Sequence, residues 1–219
     1  MKQITLTICA ALLFFACNNE KKTDKGNTDK DSTKTTTTDG KMNETASMPD
    51  SATQMKNWQA YMTPGDMHAM LAKSNGTWTT EVTMWETPGA PPSTSTGTAV
   101  NKMIMGGRYQ ESTNTGNMMG MPFEGRSITG YDNAKKAFVS SWIDNMGTGF
   151  MNMEGTWDDA SKTINFSGTC MNPMTMKECN YRETFKLVDD NTQWMEMYGP
   201  SPVDGKEFKS MEIKFTRKK

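Results

Sequence analysis

Methionine is the residue type whose placement points most directly to a binding chemistry. The chain has 22 methionines among 219 residues. Seven of them fall in connections between predicted strands, namely Met118, Met119, Met121, Met146, Met171, Met174 and Met176. Thioethers are soft ligands that select Cu(I), and methionine also forms adaptable apolar surfaces for organic ligands. The sequence therefore leaves two interpretations open, an apolar ligand mouth and a Cu(I) site at the same residues.

The cysteines predict one disulfide. Of the 4 cysteines, Cys9 and Cys17 lie near the N-terminus, which leaves Cys170 and Cys179 in the folded part of the chain. An even pair in an oxidising compartment predicts a disulfide. A thiolate metal site is the alternative, although the spacing is wider than in zinc motifs and histidine, the usual co-ligand, is nearly absent.

Catalytic side chains are scarce. His68 is the only histidine, and it lies on a predicted helix outside the apolar face, so we expect it to be exposed or half-exposed and expect no Ser–His triad. The acidic candidates fall mainly at turns, where Asp favours the backbone geometry; they are Asp132, Asp144, Glu154, Asp158 and Asp159. Spacing cannot show whether two carboxyls face each other, so an acid–base pair stays open. We otherwise predict no catalytic residue and no cofactor.

The net charge and the absence of certain sequence motifs argue against further classes of binding partner. The net charge is −1 and no basic block occurs, which argues against nucleic-acid binding. The sequence also lacks a phosphate-binding loop and the Rossmann glycine motif.

The N-terminus resembles that of an exported lipoprotein. Lys2 precedes an apolar run over residues 4–16, which is too short to span a bilayer and is typical of a secretory signal. Cys17 then follows Ala16 in an order that resembles the bacterial lipobox, whose cysteine carries the lipid. We expect a signal peptide over residues 1–17 and a membrane anchor at Cys17; cleavage near Ala16 with release of a soluble protein is the alternative. Asn18 resembles the residue that directs lipoproteins to the outer membrane, facing the periplasm or the surface.

Residues 18–54 are rich in Thr, Lys and Asp and poor in apolar residues, which predicts a disordered tether. A single domain is expected over residues 55–219. Residues 51–62, which cross the boundary between tether and domain, are only weakly helical in pattern. Thr63 as a cap and Pro64 at the first position predict a helix that presents Met70 and Leu71 on one face and ends at Gly76.

After Gly76 the apolar period changes from helical to strand-like. We predict a first strand from Trp78, followed by strands near 98–105, 107–115, 123–131, 136–144, 148–157, 162–170, 178–188, 192–199 and 206–217. About ten short strands without intervening helices predict an all-β, antiparallel up-and-down closed barrel. Short turns alternate with longer connections at 88–97, 116–122, 145–147, 171–177 and 200–205. This alternation predicts a closed floor and an open mouth.

Two sets of residues resemble known barrels. Asn75-Gly76-Thr77-Trp78 after a short helix resembles the Gly-x-Trp motif of lipocalin and fatty-acid-binding (calycin) barrels, which implies that Arg217 of the last strand packs over Trp78. Segments 106–109, 130–132, 142–144 and 147–149 resemble, in order and spacing, the uncharacterised bacterial family DUF1579 over residues 65–218. That resemblance implies a calycin-like barrel without an assigned activity. Related heme barrels of the nitrobindin type use a proximal histidine, and no predicted strand here contains one.

The expected function is the binding of a small apolar ligand inside a lipid-anchored barrel of the cell envelope. A Cu(I)-binding envelope protein and a partner-binding domain without a ligand are the alternatives.

Overall fold

The computed structural model describes residues 48–219. The expected signal peptide, Cys17 and most of the expected tether lie outside this range. Two helices come first, α1 (Ser51–Met62) and α2 (Asp66–Ala72). Within residues 48–219, no helix has the length and apolar character needed to cross a membrane.

Ten antiparallel strands follow and close into an up-and-down barrel, in which β10 pairs with β1. This confirms the fold class predicted from the sequence. The strands are β1 (Gly76–Met84), β2 (Ser93–Ile104), β3 (Tyr109–Met118), β4 (Met121–Asp132), β5 (Ala137–Asp144), β6 (Met151–Asp158), β7 (Thr163–Asn172), β8 (Lys177–Asp189), β9 (Thr192–Pro200) and β10 (Glu207–Arg217).

Three of the predicted mouth connections are shorter than expected. The largest difference is at 116–122, where β3 and β4 stay paired as far as Met118 and Met121. Only Met119 and Gly120 form the turn, and both have positive φ, 53° and 81°, as a type I′ hairpin turn requires. The usual Asn-Gly or Asp-Gly signal is missing, so the sequence did not reveal it. The other two connections shorten because β2 begins at Ser93, β7 reaches Asn172 and β8 begins at Lys177.

Helix α1 covers the weakly helical residues 51–62, whereas α2 differs from its prediction. α1 starts inside the expected tether because the Asp50 side chain accepts a hydrogen bond from the Thr53 amide at 3.0 Å, and none of its side chains is buried. α2 is capped by Gly65 rather than Thr63. His68, predicted to be exposed or half-exposed, is only 5% exposed. Its Nδ1 accepts a hydrogen bond from the Gly65 amide at 3.0 Å, and burial lowers its pKa.

Helix α2 closes one end of the barrel, and strand side chains satisfy the carbonyl groups at its C-terminus. The Gln110 amide donates to the Leu71 carbonyl at 2.6 Å. The Ser74 carbonyl accepts from the Trp78 indole at 2.9 Å and from the Asn101 amide at 3.2 Å. The last carbonyls of a helix have no partner within the helix, so these buried side chains fix α2 as the floor of the barrel.

Arg217 ties the last strand to the same floor. Its guanidinium lies 4.2 Å from the centre of the fully buried Trp78 ring. It also donates to the carbonyls of Lys73, Asn75 and Asp190 at 2.7, 2.5 and 2.7 Å. The side chain thereby joins β1, β10, the end of α2 and the β8–β9 turn.

Candidate functional site

The barrel interior is filled near α2 and open above it. The packed part contains Met70, Leu71, Phe138, Met153, Ile164 and Phe166. Above these residues lies a cavity of about 390 Å³. It extends from Leu71 at the floor to Met118 and Met146 at the opposite end of the barrel.

One wall of the cavity is polar. Strands β2 to β5 line it with hydroxyl and amide side chains, including Ser95, Asn101, Gln110, Ser112, Asn114, Ser127, Thr129 and Ser140. The hydroxyls of Thr129 and Ser140 are 3.0 Å apart and hydrogen-bonded to each other. The Oδ1 atom of Asn101 is buried without a hydrogen-bond partner, so acceptor capacity remains on this side.

The opposite wall is apolar. Strands β6 to β10 line it with Met151, Met153, Ile164, Phe166, Phe185, Met195, Met197, Met211, Ile213 and Phe215. Met197 of β9 and Met211 of β10 are paired neighbours across the two strands. Thioether and phenyl side chains give this wall a polarizable surface that adjusts its shape easily.

Trp142 and Phe123 line the outer part of the cavity. Their rings stack with centroids 6.3 Å apart and an interplanar angle of 20°. Gly125 leaves room for the indole, since a Cβ at that position would lie 2.4 Å from Trp142 Cζ2. The indole Nε1 donates to Asp144 Oδ2 at 2.7 Å, and the Met146 amide donates to Oδ1 at 2.9 Å. Asp144 therefore holds both the Trp142 side chain and the backbone at Met146, near the mouth of the cavity.

Glu183 is the one ionisable group in the apolar wall. Its partners across the strands are Phe166 of β7 and Met197 of β9. The side chain is half-buried by surface area because it borders the cavity. The protein nevertheless surrounds its carboxyl group, and the lost hydration raises its pKa to about 7. No other described side chain offers it a hydrogen bond or an ion pair, which is why desolvation alone sets this pKa.

The predicted mouth methionines separate into two groups. Met118 and Met146 line the cavity. The other five are exposed to solvent at or beside the connections around the mouth, namely Met119, Met121, Met171, Met174 and Met176. Two of the seven predicted methionines therefore belong to the cavity lining. Among residues 48–219, no three His, Cys, Asp or Glu side chains are arranged to hold a metal ion.

Cys170 and Cys179 lie directly opposite each other on β7 and β8. Both thiols are free in this structure and partly buried. Burial and the neighbouring Cys179 raise the pKa of Cys170. Paired positions on adjacent antiparallel strands have Cα separations of about 4.5–5.5 Å, which lies within the range that a disulfide spans.

The remaining acidic candidates have structural contacts. Asp132 and Asp158 accept backbone hydrogen bonds from Ala134 and Ala160 in their turns, at 2.8 and 3.0 Å. Asp159 pairs with Lys162, and Glu154 pairs with Lys135. These four carboxylates lie outside the set of residues that lines the cavity. Only Asp144 of the five candidates belongs to the site.

Sequence reasoning missed Glu183 and the polar wall. A signal for Glu183 exists, because Tyr181, Phe185 and Leu187 follow a period of two on β8 and Glu183 occupies the same face. The polar wall has no such signal. Ser, Thr and Asn alternate with other polar residues on β2 to β4, so their pattern does not show which side faces inward.

Comparisons with known proteins agree with this architecture. Among solved structures, Rv2717c from M. tuberculosis has a TM-score of 0.55 and 12% identity, over 72% of this chain and all of its own. The S-type phycobiliprotein lyase CPES from Guillardia theta has a TM-score of 0.50 and 7% identity, over 76% of this chain and 98% of its own. At such identities the likeness concerns the fold alone.

No curated protein matches the chain. The family model DUF1579, described as a protein of unknown function, matches residues 63–217, which is most of the chain and nearly all of the barrel domain. The resemblance noted in the sequence is thereby confirmed, and the chain belongs to the DUF1579 family.

Proposed function

We propose that this protein binds a small amphipathic organic molecule inside its barrel. The observation that carries the proposal is the cavity of about 390 Å³ between a polar and an apolar wall. Ligand sites in proteins usually measure about 300–1,000 Å³ and combine apolar linings with a few placed polar groups. A barrel whose side chains served only folding would fill this space, because protein interiors are close-packed.

The surroundings of the cavity support the same role. Exposed methionines such as Met119 and Met174 surround the mouth with flexible apolar side chains that can accommodate a passing ligand. The Guillardia theta barrel is a phycobiliprotein lyase, which by analogy of fold favours a function that involves another molecule.

Two adjacent serines on β5 provide a matched test. Ser140 lines the cavity, whereas Ser141 bonds to Asn152 on the outer face, at 2.6 Å. Ser140→Phe fills the binding space and is expected to weaken ligand binding by at least about tenfold, equivalent to about 1.4 kcal/mol. Ser141→Phe adds the same ring outside and is expected to leave binding unchanged.

The measurement is native mass spectrometry of the full chain purified from the bacterial envelope, followed by identification of whatever denaturation releases. A stoichiometric organic adduct that Ser141→Phe retains and Ser140→Phe loses supports the proposal. Wild-type protein that remains free of any adduct after exposure to envelope extract would refute it.

We further propose that the chain acts in the cell envelope, anchored by a lipid on Cys17, as its N-terminal sequence suggests. In that oxidising compartment Cys170 and Cys179 are expected to form a disulfide, which would stabilise the barrel by about 2–3 kcal/mol for a loop of this size. Thiol alkylation before lysis and peptide mapping should find the pair linked in the envelope form. The chain starting at residue 18 and retained in the cytoplasm should carry both thiols reduced; reduced thiols in the envelope form would contradict the assignment.

A further inference from the structure

The charge inside the cavity has one sign. Among all residues that line it, the only ionisable side chains are the acids Glu183 and Asp144, and no Lys, Arg or His takes part. A ligand with a carboxylate, such as a fatty acid, would find no cation to pair with and would face groups of its own charge. The lining therefore disfavours anionic ligands. Protein interfaces disfavour wrong partners in the same way, by leaving their charges unpaired.

The two acids differ in their remaining capacity to accept hydrogen bonds. Asp144 already receives the Trp142 indole at 2.7 Å and the Met146 amide at 2.9 Å. Glu183 receives nothing from the described residues, and both of its oxygens are available. A carboxylate that has lost hydration and has no partner is costly unless something pairs with it, and Glu183 borders the cavity, from which a ligand can reach it.

Aromatic rings border the same space. Phe166 is the direct neighbour of Glu183 across β7, and the stacked pair Phe123 and Trp142 lies further toward the rim. Ring faces attract ammonium groups, more strongly where water is excluded. A carboxylate in a cavity that aromatic rings also line is a combination that can recognise an organic ammonium ion.

Building on the proposed function, we propose that the ligand is an amphipathic organic cation, with its ammonium group at Glu183 and its hydrocarbon part along the methionine-rich wall. Hydroxyl and amide groups of the opposite wall remain available for polar substituents of the ligand. The proposal defines a chemical class, namely alkylamines and related ammonium compounds.

Binding of such a cation should depend on pH through Glu183 alone. The titratable groups on the same face of its own strand are Tyr181 and Cys179. Cys170 of β7 lies opposite Cys179, Asp144 lines the cavity, and the β9 residue opposite Glu183 is Met197. Burial raises the pKa values of Tyr181 and Cys170, so both stay neutral near pH 7. Glu183 ionises as pH rises through about 7, and cation binding should strengthen over that range.

The test uses three probes that share a ten-carbon chain: decyltrimethylammonium, decanol and decanoate. Calorimetric titration of the full chain at about pH 8.5, above the Glu183 transition, should show the cation bound about tenfold more tightly than the alcohol, with decanoate weakest. At about pH 5.5 the preference should disappear, because Glu183 is then protonated. Decyltrimethylammonium keeps its charge at both values, so the change reports the protein.

Two variants separate the cavity from the surface. Glu183→Gln should abolish the preference at both pH values and retain decanol binding. Glu178→Gln removes the same charge from an exposed position of the same strand and should behave like the wild type. Equal binding of cation and alcohol, a preference for decanoate, or equal losses in both variants would overturn the cation assignment while leaving the ligand-binding function intact. Binding of none of the three probes would also overturn the cation assignment, whereas the ligand-binding function is refuted only if wild-type protein also stays free of any adduct after exposure to envelope extract.

Discussion

Replacing Phe138 with alanine is expected to lower the free energy of unfolding by about 3–5 kcal/mol, the usual cost of deleting a buried phenyl ring. The ring is 0% exposed. It packs edge-on against Tyr131 at 5.0 Å and Phe166 at 6.4 Å between ring centroids. Backbone hydrogen bonds hold the barrel strands in place, so the wall cannot collapse into the space and the loss should fall at the upper end of the range.

Phe150 provides the control for this experiment. It lies in the connection before β6 and is 65% exposed, so Phe150→Ala should change stability by less than about 0.5 kcal/mol. Urea unfolding of both variants, monitored by circular dichroism, supplies the comparison. Similar urea midpoints for the two variants would show that the Phe138 ring does not contribute to the packed part of the barrel interior.

The sequence predicted the frame of the barrel well because its signals are local. Alternation of apolar residues and turn-forming residues such as Asp132 and Asp189 mark strands and their ends independently of distant contacts. Trp78 and Arg217 were placed together by a family resemblance, and they meet as direct partners across β1 and β10. This contact requires an even number of strands between the first and the last, and the ten strands predicted from the sequence meet that condition.

The features that the sequence did not reveal depend on contacts between distant strands. Gln110 and Asn101 have the pattern of ordinary polar strand residues. They nevertheless point inward, where Gln110 donates to the Leu71 carbonyl of α2 and Asn101 donates to the Ser74 carbonyl just after it. His68 lies outside the apolar face of its helix, but strands at the end of the barrel surround that helix. The ring centroids of His68 and Tyr131 are 6.0 Å apart. Whether the interior is filled depends on the summed volumes of side chains from ten strands, which no local pattern encodes.

Glu183→Gln is expected to make the empty protein more stable at alkaline pH, by up to about 3 kcal/mol. The pKa of Glu183 rises from its usual 4.5 to about 7 on folding because the carboxyl loses hydration. The folded protein then holds a proton that the unfolded chain releases, so stability contributed by this group is full below about pH 4.5 and is lost as pH rises through about 7. Each pH unit between the two values is worth about 1.4 kcal/mol.

Comparing wild type with Glu183→Gln separates the effect of Glu183 from that of the other titratable groups. His68, whose pKa burial lowers, destabilises the folded state as pH falls below its usual value, but it does so equally in wild type and variant. Unfolding free energies measured at about pH 4 should therefore differ little, since Glu183 is then protonated in both the folded and the unfolded state, and protonated Glu and Gln are both neutral and polar. At about pH 8.5 the variant should be the more stable protein.

A stability difference that is the same at both pH values would show that Glu183 is well hydrated and keeps its ordinary pKa. A stability gain of Glu183→Gln that appears only at alkaline pH would have a consequence for function. A group that destabilises the folded protein whenever it is ionised contributes nothing to folding, and such groups tend to occur where a site needs them. Saturation with decyltrimethylammonium should then remove the alkaline loss of stability in wild type and leave Glu183→Gln unchanged, because the bound cation supplies the charge that the empty cavity lacks.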